Sequence, residues 1–195
     1  MLQQFCPDQV VRRVENIDLA RLGAAGVKGI LLDLDNTLTP WRGYEMTPEC
    51  RAWLGRARSA FRVGILSNAL GGRRVEHIAG ELKIPCVHGL GPWGKPGRLA
   101  FRRALAMLGT APGETVMVGD QMMLDVLGAR RSGLQAILVE PIGRREFLVT
   151  RWNRRLARLI EKALRRRGLW PEEGPSTLHS TTQSPAGGAA DEAAP

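Results

Sequence analysis

The stretch GILLDLDNT, residues 29–37, gives the clearest indication of the fold of this chain. Residues 29–34 place apolar side chains on both faces, which is typical of a strand that is buried within a parallel sheet. Asp33 and Asp35 stand two residues apart, so their side chains lie on the same side of an extended chain. Two carboxylates this close repel each other unless a cation or a shared proton is present. The stretch therefore predicts a buried strand that ends in a charged site.

Further apolar runs alternate with helical patterns on both sides of this stretch. The other predicted strands cover residues 62–66, 84–88, 115–118 and 135–139. The predicted helices cover residues 48–60, 71–82, 96–108 and 122–131, and Thr47 caps the first of them with Pro48 in its first turn. This alternation predicts an α/β fold, a Rossmann-like three-layer sandwich with a mainly parallel five-stranded sheet. Ligands bind such sheets beyond the C-terminal ends of the strands.

The composition fits one globular domain followed by a different kind of tail. Of the 195 residues, 44% are hydrophobic, which is enough for a core. The sequence has no stretch of 18 apolar residues, so no membrane-spanning helix is expected. The N-terminus does not resemble a secretory signal. Cys6, Cys50 and Cys86 are too scattered for a disulfide framework or a zinc site, which indicates a reducing compartment. Residues 171–195 are rich in Pro, Ser, Thr, Gly and Ala and are predicted to be disordered.

The positive charge of the chain is concentrated near its C-terminal end. The formal net charge is +9, and residues 141–170 hold ten Arg and Lys against Glu146 and Glu161. From Phe147 to Leu164 apolar residues recur at helical spacing and basic residues fill the other face. This pattern predicts a basic amphipathic helix over residues 144–170. Such a helix either packs its apolar face on the core or lies on anionic lipid or another polyanion.

Polar residues follow the predicted strands at the edge where ligands bind. Besides the pair in the opening stretch, they are Ser67, Asn68, Lys95, Asp120 and Asp125. Phosphoryl transfer needs groups of these types: a carboxylate nucleophile, a cation that screens it from the phosphate, and donors for the phosphoryl oxygens. Hard oxygen ligands favour Mg²⁺. The set therefore predicts a Mg²⁺-dependent phosphoryl-transfer site.

The same residues resemble the four motifs of the haloacid dehalogenase-like (HAD) phosphatases, in the same order and spacing. The motif DxDx[TV] matches residues 33–37, a Ser that ends the second strand matches Ser67, Lys95 is the third motif, and GDxxxxD matches residues 119–125. DLDNTLTPW (33–41), ILSN (65–68), GKP (94–96), VGDQ (118–121) and DVLG (125–128) are similar to the YqeG branch, which includes phosphatidylglycerophosphate phosphatases. The resemblance covers about residues 5–165. Leu124 departs from the Thr usual in that branch, without removing an expected metal ligand.

The resemblance implies a role for each matched residue. Asp33 attacks phosphorus and carries the phosphoryl group, while Asp35 protonates the leaving oxygen and then deprotonates the attacking water. The residues that hold phosphoryl oxygens are Ser67, Lys95 and, as a minor contact, Asn68. The implied Mg²⁺ ligands are Asp33, the backbone carbonyl of Asp35, and Asp120. Asp125 supports Lys95 or the water shell of the metal.

The short spacing between the motifs predicts that no cap domain covers this site. Ser67 lies 34 residues after Asp33, and Lys95 lies 28 residues after Ser67, which is room for little more than a helix and a strand each time. An uncapped site suits a large substrate, or a phosphate that projects from a membrane or a polymer.

The function predicted from these features is dephosphorylation of phosphatidylglycerophosphate to phosphatidylglycerol by a HAD-type phosphatase. The expected partner is an anionic phospholipid, and the expected location is the cytoplasm with peripheral contact at the inner face of the membrane through the basic helix. Two alternatives remain open: a phosphatase acting on nucleic-acid ends or another large phosphorylated substrate, and a non-catalytic basic adaptor on the same fold. The predicted organisation is a core over residues 1–143 with a helical N-terminal lead-in, the basic helix 144–170, and the tail 171–195.

Overall fold

The computed structural model describes residues 2–69, 72–143 and 148–171, and it shows a parallel sheet with helices on both faces. The strands are β1 Gln9–Val11, β2 Gly29–Leu32, β3 Arg62–Ser67, β4 Cys86–His88, β5 Thr115–Gly119 and β6 Gln135–Val139. The α-helices are α1 Leu19–Ala24, α2 Pro48–Ala60, α3 Gly72–Leu82, α4 Arg98–Leu108, α5 Leu127–Arg131 and α6 Leu148–Arg166. All pairings are parallel, in the order β1-β6-β5-β2-β3-β4. The predicted α/β class is confirmed.

The sheet has six strands rather than the predicted five, because the N-terminal lead-in contributes β1. This strand has three residues and pairs only with β6, with Gln9 opposite Ile137. The Asp8 side chain extends the contact by accepting a 2.8 Å hydrogen bond from the backbone N–H of Ala136. So short an edge strand carries almost no hydrophobic pattern of its own, and its partner lies more than 120 residues away along the chain. The lead-in is therefore only partly helical, through α1 and two short 3₁₀ turns.

Both faces of the sheet are buried, as the doubly apolar strands predict. Ile30 and Leu32 of β2 point into the core beneath α2 and α3, where Trp53 is almost completely enclosed. Leu31 points to the opposite core beneath α4 and α5, where it belongs to the same cluster as Phe101. Because successive side chains of β2 point to opposite cores, β2 lies in the middle of the sandwich. Its C-terminal end lies at the edge where the parallel strands end.

The segment predicted as one helix over residues 122–131 has two parts. Residues Met122–Val126 form a wide π-helical turn, and α5 follows. The Asp125 side chain accepts a 3.0 Å hydrogen bond from the backbone N–H of Gln121, which holds the turn inward. Wide turns of this kind often mark functional sites, because they re-aim a side chain. Here the side chain that is aimed is Asp125.

No inserted domain lies between β2 and α4 in the described residues. This part of the chain holds α2, α3, β3, β4, a short 3₁₀ turn at Gly91–Trp93 and the loops that join them. The site is therefore uncapped over these residues, as predicted. No helix in the described part of the chain has the length and apolar character needed to cross a membrane.

The predicted basic helix is present as α6, and part of its apolar face packs on the core. Leu164 is fully buried, and Ile160 packs against the same core cluster as Phe101. Leu156 and Leu159 remain 45% and 66% exposed. Residues 144–147 and 172–195 lie outside the described residues, so the predicted disorder of the tail and the three-part division of the chain stay predictions.

Candidate active site

The predicted site residues meet at the C-terminal edge of the sheet. Asp33 follows β2, Ser67 ends β3, and Asp120 follows β5. A cavity of about 570 Å³ opens at this edge. The predicted residues that line it are Asp33, Asp35, Ser67, Asn68 and Lys95. Residues that are far apart in sequence are brought together here because parallel strands end at one edge.

Lys95 forms the centre of the buried charge network. Its Nζ donates to Asp33 Oδ1 at 2.5 Å and to Asp125 Oδ1 at 2.6 Å. None of the three side chains is more than 5% exposed. The second oxygen of Asp125 accepts the bond from the Gln121 backbone, so both oxygens of that carboxylate are engaged. Asp125 therefore holds Lys95 in place against Asp33.

Burial controls the ionisation of this network. Burial raises the pKa of Asp33 to about 7, with a further rise from the nearby Asp125 carboxylate and an opposing effect of Lys95. Burial also disfavours the charge on Lys95, but the two carboxylates outweigh it and the pKa of the ammonium lies above its ordinary value. The network therefore favours the charged form of Lys95 and disfavours the charged form of Asp33.

Three carboxylates are close enough together to share one metal ion. Oxygens of Asp33, Asp120 and Asp125 lie within 4.8 Å of one another. The Asp33 Oδ2 atom is buried and makes no hydrogen bond among the described residues. Buried polar atoms ordinarily have a partner, so an unpartnered carboxylate oxygen in an all-oxygen cluster fits a hard cation such as Mg²⁺. Of the predicted metal ligands, the cluster contains Asp33 and Asp120; the prediction for Asp35 concerns its backbone carbonyl.

The carboxylate of Asp35 lies in the same cavity but outside that cluster. Its Oδ1 accepts hydrogen bonds from the Arg42 backbone N–H at 2.8 Å and from Arg74 Nη2 at 2.5 Å. Arg74 also donates to the Gly43 carbonyl oxygen, which ties α3 to the loop after β2. Two donors on one oxygen orient the carboxylate within the cavity.

Sequence reasoning missed Arg74, which lines the cavity and has a side chain only 12% exposed. The available signal was its place in the first turn of a helix that follows a predicted strand, at the edge already known to bind ligands. One arginine among 28 basic residues gives no reason by itself to single it out.

Asn68 and Ser67 anchor the other wall of the cavity. The Asn68 side chain donates to the Lys95 carbonyl oxygen and accepts from the Lys95 backbone N–H, both at 2.7 Å. Ser67 is 1% exposed, and its Oγ accepts a 3.1 Å hydrogen bond from the Ala69 backbone. Asn68 therefore positions the residue that follows the Gly89–Gly94 loop, and its predicted phosphate contact stays a prediction.

Sequence comparisons identify the family of this chain. The family model described as HAD-hyrolase-like matches residues 92–144. The probable phosphatase YqeG of Bacillus subtilis (strain 168) is 37% identical over 165 residues, which cover 84% of this chain and 94% of that protein. This chain belongs to the HAD superfamily of phosphatases, in the family of YqeG. The predicted family and the predicted class of enzyme are thereby confirmed.

Two further relatives carry a more specific name. The phosphatidylglycerophosphate phosphatase 1, chloroplastic/mitochondrial, of Arabidopsis thaliana is 28% identical over 183 residues, 87% of this chain and 51% of that protein. The phosphatidylglycerophosphate phosphatase 1, chloroplastic, of Chlamydomonas reinhardtii is 29% identical over 162 residues, 72% of this chain and 59% of that protein. The chain spans only about half the length of these two relatives.

Proposed function

We propose that this HAD-family phosphatase is a Mg²⁺-dependent phosphomonoesterase that removes the terminal phosphate of phosphatidylglycerophosphate through an aspartyl-phosphate intermediate. The observation that carries the proposal is Asp33: one oxygen is held by the Lys95 ammonium, the other is buried and makes no hydrogen bond among the described residues, and the carboxylate lies in the same acidic cluster as Asp120. A carboxylate held in this way is positioned as a nucleophile rather than as a structural ion pair.

In the first step an Asp33 carboxylate oxygen attacks phosphorus and the bond from phosphorus to the glycerol oxygen breaks. Asp35 gives a proton to that leaving oxygen, since Asp35 lines the same cavity. Lys95 and Ser67 hold the phosphoryl oxygens at the cavity wall. Asp33 and Asp120 would hold Mg²⁺, which would supply the positive charge that lets an anionic nucleophile approach a phosphate dianion.

In the second step water attacks the phosphorus of the aspartyl phosphate. Asp35 takes the proton of this water, and the bond between phosphorus and the Asp33 oxygen breaks. Inorganic phosphate leaves and the Asp33 carboxylate is restored. Arg74 keeps Asp35 oriented through both steps, because it fixes one carboxylate oxygen and the adjoining loop together.

A phospholipid substrate is supported by three features. Two relatives are named as phosphatidylglycerophosphate phosphatases. The cavity has no cap over the described residues, so a headgroup anchored in a bilayer reaches it. Helix α6 exposes Leu156 and Leu159 beside basic residues such as Arg158, which suits peripheral contact with an anionic membrane surface from the cytoplasmic side.

The test is phosphate release from phosphatidylglycerophosphate in mixed micelles, with Mg²⁺ and with EDTA. We expect release that requires Mg²⁺ and is abolished in Asp33→Asn. Asp18→Asn is the matched control, because Asp18 caps α1 from an exposed position and asparagine caps equally well. Substrate labelled with ³²P is expected to leave an acid-stable, hydroxylamine-sensitive label on the wild type and none on Asp33→Asn.

The outcomes separate mechanism from substrate. Full activity of Asp33→Asn refutes the aspartyl-phosphate mechanism. Turnover of p-nitrophenyl phosphate without turnover of the lipid keeps the mechanism, refutes the lipid substrate and favours phosphorylated nucleic-acid ends or another large substrate.

A further inference from the structure

Some of the large apolar side chains that remain exposed lie in or beside the lining of the cavity. Among the described residues five such side chains are exposed, and two of them, Leu156 and Leu159, belong to α6. The other three are Tyr44, Leu90 and Trp93, with exposed fractions of 52%, 48% and 54%. Exposed aromatic and aliphatic side chains beside a cavity are candidates for an interaction surface.

Two of these three side chains line the catalytic cavity, and the third follows one of them closely along the chain. Tyr44 and Leu90 line it directly, and Trp93 ends the short turn that begins directly after Leu90. The loop that carries Leu90 and Trp93 is held by the paired hydrogen bonds between Asn68 and the Lys95 backbone. The apolar rim is therefore fixed relative to the site.

Cations accompany the aromatic side chains of the rim. The Arg42 guanidinium lies 5.2 Å from the ring centre of Trp41, and the Arg103 guanidinium lies 5.7 Å from the ring centre of Trp93. Amphipathic aromatic side chains beside cations suit the level of phospholipid headgroups, where rings enter the interface and arginines meet phosphates.

We propose that the mouth rim, defined as Trp41, Arg42, Tyr44, Leu90, Trp93 and Arg103, docks on an anionic phospholipid bilayer, with the cavity facing the membrane. The inference deepens the proposed function and rests on it, because the bilayer is the occupant that carries a phospholipid substrate. A protein seated on the same rim would close the cavity, whereas a bilayer presents the headgroup to it. The rim is distinct from α6, and docking through the rim would bring the catalytic cavity to the surface of the bilayer.

The test is cosedimentation of the full chain with substrate-free vesicles of phosphatidylglycerol and phosphatidylcholine. We expect Trp93→Ala to bind the vesicles about tenfold more weakly than the wild type does, because the substitution removes apolar area that the tryptophan buries at the interface. Arg103→Gln is expected to bind the vesicles about fivefold more weakly than the wild type does. This difference is expected to be smaller in high salt, because salt screens the charge of the arginine. Arg58→Gln is the matched control and binds as the wild type does, because Arg58 is exposed near the end of α2, away from the mouth.

Turnover is measured separately with p-nitrophenyl phosphate, which needs no membrane. Trp93 is not part of the cavity lining, so Trp93→Ala is expected to keep wild-type turnover of this ester. Vesicle binding that is equal in Trp93→Ala and the wild type overturns the docking surface, even if the lipid is hydrolysed. Trp93-dependent binding without hydrolysis of phosphatidylglycerophosphate supports the docking surface and refutes the proposed substrate. Absence of vesicle binding by the wild type overturns the inference and favours a protein or nucleic-acid partner.

Discussion

Replacing Lys95 with Met removes the ammonium that lies between Asp33 and Asp125 while keeping an unbranched side chain of similar length. The two carboxylates then face each other in a site where each is 5% exposed or less. Breaking a buried ion pair from one side costs about 3–5 kcal/mol of unfolding free energy, because the remaining charge is left without a partner. For a domain of this size that corresponds to a fall in Tm of about 10 °C.

The assay is thermal unfolding of wild type and Lys95→Met in EDTA, at pH 6 and at pH 8. The fall in Tm is expected to be larger at pH 8 than at pH 6. Burial already raises the pKa of Asp33 to about 7, so in Lys95→Met this carboxylate is protonated at the lower pH, which relieves the repulsion. Lys28→Met is the control, since Lys28 pairs with Glu114 at 2.7 Å but is 69% exposed, and its Tm is expected to stay within about 2 °C. A Tm of Lys95→Met within about 2 °C of the wild type at pH 8 would refute the reasoning.

Three further predictions follow from particular contacts. Gly119→Ala places a Cβ 2.3 Å from the carboxylate of Asp125, so we expect kcat for p-nitrophenyl phosphate to fall at least about tenfold with unchanged circular dichroism, and wild-type kcat would contradict this. Gly55→Ala meets no atom within 4 Å inside α2, so urea unfolding is expected to show a gain of about 0.5–1 kcal/mol, and a loss would count against an open helical position. Burial raises the pKa of Asp33 to about 7, so Mg²⁺ must displace a proton from this carboxylate at lower pH. The Mg²⁺ affinity measured by calorimetry should therefore rise about tenfold per pH unit below pH 7 and level off above it. An affinity that does not change from pH 5.5 to 7.5 would be inconsistent with this competition.

Much of the fold was predictable because the central strands are apolar on both faces and are punctuated by helical segments. The burial of Ile30, Leu31 and Leu32 follows from their sequence pattern alone. The edge strand β1 was missed because its three residues acquire strand character only through β6. The π-helical turn at Met122–Val126 was read as ordinary helix, since its width depends on where the Asp125 side chain is held.

The residues of the candidate site were predictable from the sequence, because the order and spacing of Asp33, Ser67, Lys95 and Asp125 place chemically suited residues after successive strands. The hydrogen bonds between these residues follow only from the tertiary structure: Lys95 donates to two carboxylates, and Asp35 accepts from Arg74. The physical reason is that strand periodicity and residue type are local properties of the chain. Burial, pKa and hydrogen-bond partners arise from groups that are distant in sequence and meet only when the sheet has formed.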